Sequence, residues 1–233
     1  MSTFALVHGA WHGAWCWEAL VPELERRGHR AITMDLPCDD PAATFEDYAD
    51  AVAAAVPDDA GDDLVLVGHS LGGYTIPLVP QRRPVKAVVY LCALVPIPGR
   101  SLAEQAAAEP DMLLPRYLAG VSEPDERGRV RWVDARIAAE VLFADCDERA
   151  ARDAIERLRP QAQRPYAGPC PLEALPDAPA TYVVCRDDRI VNPTWSRRVA
   201  TERLDARLVE LPGSHSPFLS RPAQLASVLE ATA

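Results

Sequence analysis

Short, mostly apolar runs recur along this chain, each separated from the next by a stretch of helical spacing, and this rhythm restricts the fold more than any other feature. A strand with one wet face alternates polar and apolar residues, whereas a strand covered on both faces reads as a continuous apolar run. Phe4-Ala5-Leu6-Val7, Ala31-Ile32-Thr33-Met34, Leu64-Val65-Leu66-Val67 and the run from Lys86 to Leu91 are of the second kind. Between them lie three stretches that read as helices: Ala14 to Arg27, closed by Gly28; Phe45 to Val56; and Leu71 to about Val79. Strands alternating with helices in this way build a mostly parallel sheet with helices on both faces, an α/β fold.

The rhythm stops after Pro96. From 97 to 176 only helical patterns recur, over Leu102 to Ala108, Arg136 to Phe143 and Glu148 to Leu158, broken by prolines at 98, 110, 115, 124, 160, 165, 169 and 171. It resumes with a strand over Ala180 to Val184, a helix after Pro193, a strand over Arg207 to Leu211 and a last helix over Pro222 to Leu229. A segment that leaves a sheet and returns to it is expected to be an insertion rather than an independent domain. The expected division is a core of residues 1–96 and 177–233 with a helical cap inserted at 97–176.

Composition narrows the partners. With 24 basic and 34 acidic residues the formal charge is −10, a field that repels phosphate backbones and anionic lipid. Neither nucleic acid nor a membrane is an expected partner; a small apolar molecule is, and a homodimer is left open. No apolar run approaches the ~20 residues that span a bilayer. Met1-Ser2-Thr3 does not begin a basic, apolar, small-residue leader, so a cytoplasmic location is expected. The six cysteines include no C-x-x-C pair, and neither a metal site nor a cofactor is expected.

The chemistry concentrates in Gly68-His69-Ser70-Leu71-Gly72, a G-x-S-x-G at the point where a predicted strand passes into a predicted helix. Alone, such a turn accommodates an idle serine; with a strand before it and a helix behind it, the serine is lifted off the carboxyl end of the sheet as a nucleophile. A hydroxyl needs a base to take its proton. Of the five histidines, His215 lies in Pro212-Gly213-Ser214-His215-Ser216-Pro217, after the last strand and on the same edge as Ser70. A carboxylate to orient that base is expected after the preceding strand, in Cys185-Arg186-Asp187-Asp188-Arg189. Two adjacent aspartates cannot both face the imidazole, so one is expected to pair with Arg186 or Arg189, and the residues alone leave Asp187 and Asp188 both open. The order serine, aspartate, histidine is that of serine hydrolases built on an α/β sheet. The amides of Leu71, directly after the nucleophile, and Ala10, in the glycine turn after the first strand, are the expected donors to a developing oxyanion. His8 and His12 stand four apart, but at a strand end rather than on a helix, and with no glutamate after the first, so zinc is not expected. Trp11, Trp132, Leu142, Phe143 and Phe218 are candidates to line a small apolar acyl pocket, with no individual assignment.

Three stretches carry a family resemblance: Leu6-Val7-His8-Gly9-Ala10-Trp11-His12-Gly13-Ala14-Trp15-Cys16-Trp17, the elbow Gly68 to Gly73, and Ser214-His215-Ser216-Pro217-Phe218-Leu219. With cap pieces such as Phe143-Ala144-Asp145-Cys146 and Arg157-Leu158-Arg159-Pro160, the chain resembles, over its whole length, the α/β-hydrolase family of salicylate-type methyl esterases and hydroxynitrile lyases. The resemblance implies the α/β-hydrolase fold, a Ser70, His215, Asp188 triad with Asp188 preferred over Asp187, and no cofactor. It also separates two activities, because the lyases carry a threonine where this chain has Gly9 and a lysine where it has Ser216. Lys86, the sole lysine, lies far off before the fourth strand and is no substitute, while an arginine such as Arg221 could in principle replace the charge. A carboxylesterase that cleaves small carboxylic esters through an acyl-enzyme on Ser70 is the expected activity. The alternatives are a C–C lyase, a thioesterase or cyclase of secondary metabolism, and a non-catalytic small-ligand receptor.

Overall fold

A computed structural model describes residues 1–233. Its eight strands are β1 (Thr3–Val7), β2 (Arg30–Thr33), β3 (Leu64–His69), β4 (Ala87–Leu91), β5 (Arg129–Val130), β6 (Gln161–Ala162), β7 (Ala180–Cys185) and β8 (Arg207–Leu211). Six of them form one parallel sheet in the order β2-β1-β3-β4-β7-β8. The helices are α1 (Val21–Glu25), α2 (Phe45–Ala55), α3 (Gly72–Thr75), α4 (Leu102–Ala108), α5 (Ala135–Leu142), α6 (Glu148–Glu156), α7 (Arg164–Ala167), α8 (Pro193–Glu202), α9 (Pro217–Ser220) and α10 (Pro222–Glu230).

Because side chains alternate across a strand, β1 divides between two cores. Phe4 and Leu6 pack with Trp17, Leu20, Leu24, Leu225 and Leu229 on the face that α1 and α10 cover. Ala5 and Val7 face the other way, into the core shared with Tyr48, Val52, Tyr74 and Trp195 of α2, α3 and α8. Along the inner strands β1, β3, β4 and β7 both faces are dry, which is why these strands show no polar alternation, whereas the edge strand β8 is largely exposed. β1 pairs with β2 on one side and β3 on the other, so the direction of strand addition reverses between them. The crevice at the carboxyl ends of two such strands is where open α/β sheets place their ligands.

Three departures from the sequence reading have physical causes. The stretch Ala14 to Arg27 is not one helix but a 3-10 turn over Ala14–Trp17 followed by α1, which restarts with Pro22 in its first turn, where the missing N–H is tolerated. The helix expected from Leu71 to Val79 is α3 alone, followed by a 3-10 segment over Ile76–Gln81, because Pro77 and Pro80 cannot donate into an α-helical ladder. Between β4 and β7 the chain is not purely helical, since β5 and β6 pair antiparallel through Arg129↔Ala162 and Val130↔Gln161. Strands of two residues have no period to detect.

Candidate active site

Ser70 adopts φ 51°, a left-handed conformation that costs an ordinary L-residue about 1–3 kcal/mol and persists only where neighbours fix it. They do so here: its N–H donates to Leu91 O at 3.1 Å, and its carbonyl accepts from Gly73 N at 3.1 Å and Leu94 N at 3.0 Å. Ser70 lines a cavity of about 270 Å³ above the sheet, together with Ala10, Trp11 and Leu71.

His215 is buried, and its Nδ1 donates to Asp188 Oδ2 at 2.8 Å. Asp188 Oδ1 accepts from the amides of Ile190 at 2.8 Å and Val191 at 3.2 Å, so the carboxylate is fixed before it orients the ring. With the proton held on Nδ1, Nε2 is the nitrogen left to act as a base. Of the two adjacent aspartates it is Asp188 that bonds the imidazole. Asp187 pairs with neither Arg186 nor Arg189, contrary to the expectation for the second carboxylate. Its Oδ2 accepts from Gly213 N at 3.1 Å, and its own N–H donates to Gly213 O at 3.0 Å, which pins the start of the His215 loop. No direct hydrogen bond joins Ser70 Oγ to the imidazole, a contact that tightens in hydrolases when substrate binds.

Three further histidines pack behind the site. His8 donates from Nδ1 to Gly9 O at 2.8 Å and accepts from Leu36 N at Nε2 at 3.0 Å. Burial pushes its pKa down to about 4. His12 bonds Ala10 O at 2.8 Å through Nδ1, and burial lowers it to about 3. His69 donates from Nε2 to the carbonyl of His215 at 3.0 Å, with the two rings 4.6 Å apart, and burial drives it well below its ordinary value. His8 and His12 thus tie down the carbonyls of the turn after β1, while the amides of Ala10 and Leu71 are used in none of the chain's own hydrogen bonds. Buried N–H groups are rarely left unpaired. Two such unpaired amides beside one strained serine are donors of the kind that an oxyanion requires.

Apart from Ile190, the remaining wall comes from the segment between β4 and β7. Leu102, Ala106, Leu113, Tyr117, Gln163 and Tyr166 face the cavity, whose lining contains no charged side chain. Of the five expected pocket candidates only Trp11 lines it. Trp132 packs edge-on to Trp11 at 5.6 Å, Phe143 and Phe218 each lie 6.0 Å from the His12 ring, and Leu142 is core. Leu102 and Ala106 were discernible as one face of a helix, whereas Tyr117, Gln163 and Tyr166 lie on short, proline-broken turns with no period.

The chain is similar to known hydrolases in sequence and in structure. The chain is 43% identical over 112 residues to the probable esterase PIR7A of Oryza sativa subsp. indica, an alignment that covers 42% of this chain and 41% of that protein. It is 30% identical over 239 residues to a pyrethroid hydrolase of Sphingobium wenxiniae, covering 96% of this chain and 85% of that one. The crystal structure of a pyrethroid hydrolase from Sphingobium faniae superposes with a TM-score of 0.84 at 26% identity, over 99% of this chain and 96% of that one. A family model described as the alpha/beta hydrolase family matches residues 4–228, and the chain belongs to that family.

Proposed function

We propose that the protein is a carboxylesterase that cleaves small, uncharged esters through an acyl-enzyme on Ser70. The observation that carries this reading is the buried His215–Asp188 pair, fixed in one tautomer on the sheet edge that also presents a strained serine between two unpaired amides. In the proposed cycle Ser70 Oγ attacks the ester carbonyl carbon as His215 Nε2 takes its proton. The amides of Ala10 and Leu71 receive the oxyanion, and the alcohol leaves with the proton returned by His215. A water activated by the same imidazole then adds to the acyl-enzyme and releases the acid. Asp188 stabilises the imidazolium in both halves.

The geometry favours hydrolysis over cyanohydrin cleavage. A Cβ at Gly9 would lie 2.8 Å from Ser70 Cβ and 2.9 Å from His69 Nδ1, so the threonine of the lyases has no room here. Position 216 is a buried serine, and Arg221 is engaged by Asp145 at 3.2 Å rather than facing the cavity. No cation is therefore placed to receive departing cyanide.

Ser70→Ala is expected to lower kcat for a chromogenic short-chain ester by about six orders of magnitude, to assay background, with Tm unchanged. Undiminished turnover by that variant would place the nucleophile elsewhere.

A further inference from the structure

We propose that Asp145 is a positioning residue for His215: from the cap it grips both flanks of the loop that carries the base. This role rests on the esterase reading above. Asp145 lies between α5 and α6. Ser214 Oγ, on the residue before His215, donates to Asp145 Oδ1, and Arg221 Nε, at the far end of the same loop, lies 3.2 Å from Oδ2. Partial burial alone would raise the carboxyl pKa, but hydrogen bonds from Ser214 and Ser220 and the charge of Arg221 hold it below the ordinary range, so the group is an anion at neutral pH.

The loop is shaped to admit this carboxylate. Gly213 has φ 101°, and any Cβ there would collide with Asp145 Oδ2 and Arg221 Nε. Every other anchor of the loop described above belongs to the core: Asp187 at Gly213, Asp188 at the imidazole and His69 at the His215 carbonyl. Asp145 alone ties the base to the segment that walls the cavity. Two residues earlier Phe143 packs on the His12 ring, so this corner of the cap touches both the loop that carries the base and the turn that holds the Ala10 amide. Releasing Asp145 frees the Ser214 hydroxyl next to the base without touching substrate. The expected consequence is an imidazole displaced from its line to Ser70, a loss in the chemical step rather than in binding.

The test compares Asp145→Ala, Asp145→Asn and Ser214→Ala with wild type on a neutral chromogenic ester. Asp145→Ala is expected to lower kcat roughly ten- to hundredfold with KM within about twofold, the scale of a misplaced catalytic group. Asp145→Asn keeps an acceptor for Ser214 and is expected to recover most of kcat. The downfield proton resonance of the His215 Nδ1–H bond should persist in Asp145→Asn and broaden in Asp145→Ala. Ser214→Ala, in which Arg221 still pairs with the carboxylate, should show the same kcat-specific loss and stands in if Asp145→Ala does not fold. A kcat within twofold of wild type in Asp145→Ala, or equal damage in the alanine and asparagine variants tracking a fall in Tm, overturns the positioning role. Ser70→Ala run alongside separates the two readings: its full activity would sink the esterase assignment itself, whereas an inactive Ser70→Ala beside a full-rate Asp145→Ala sinks only the role of Asp145.

Discussion

His8, His12 and His69 stay uncharged because burial disfavours the imidazolium by more than their carbonyl partners favour it. Their folded pKa values lie below the ordinary 6.5, so the unfolded chain binds more protons than the native one whenever the pH is below that value. Stability therefore rises with pH through this window and falls on acidification. At pH 5.5 the three together are expected to remove about 4 kcal/mol of folding stability relative to pH 7.5. Urea midpoints across that range measure it, and a midpoint constant from pH 7.5 to 5.5 would show that these rings take up protons as readily in the native state as in the unfolded chain. At the same scale, Ser70 and His215 were legible because their neighbours, glycines and strand ends, announce a turn. The choice between Asp187 and Asp188 was not, on the residues alone. It depends on which carboxylate caps the amides of Ile190 and Val191, a three-dimensional fact that adjacent identical side chains cannot encode. Asp145 was invisible as a functional residue, since nothing in Phe143-Ala144-Asp145-Cys146 indicates that it reaches Ser214.

Among the elements, α4 has the most elaborate support. Ser101 closes its start in a capping box with Glu104, and Gln105 on its buried side accepts from Tyr74 and Ile97 and donates to Val95 O at 2.9 Å. Beyond its last turn Glu109 pairs with Arg203 at 2.6 Å and accepts from Trp195 Nε1 at 3.2 Å, joining this wall of the cavity to α8. Burial would raise the Glu109 pKa, but the bonds from Arg203, Gln105 and Trp195 hold it down. Glu109→Ala strands the Arg203 guanidinium in a site where its side chain is only 20% exposed, at an expected cost of about 2 kcal/mol, or roughly 5 °C in Tm. Because Leu102 and Ala106 of α4 line the cavity, KM should rise while kcat holds. Calorimetry with steady-state kinetics tests this, and an unchanged Tm would mean that the pair contributes nothing net. None of this network is periodic, so the sequence marked α4 as a helix without marking what it leans on. The sheet was legible for the opposite reason: burial on both faces removes polar residues from whole strands, a signal that survives without knowledge of any partner.

At the scale of the molecule, two charge distributions bear on which esters are turned over. The chain carries a net −10, yet the cavity beside Ser70 is lined by uncharged residues. The first acts over a Debye length and is screened by salt; the second acts on contact and is not. A half-ester of a dicarboxylic acid would have to bring an unpaired carboxylate into that cavity, a desolvation cost of several kcal/mol with no cation to offset it. Its kcat/KM is therefore expected to fall at least about 100-fold below that of the neutral ester of matching size. If long-range repulsion were the cause, raising the salt from 10 to 150 mM would recover most of the difference; if burial is the cause, little returns. Within the neutral series, a cavity of about 270 Å³ predicts a steep decline once the acyl chain outgrows it. Equal turnover of the anionic and neutral esters at both salt concentrations, or a flat acyl-length profile, would mean that the reacting ester does not sit in this cavity.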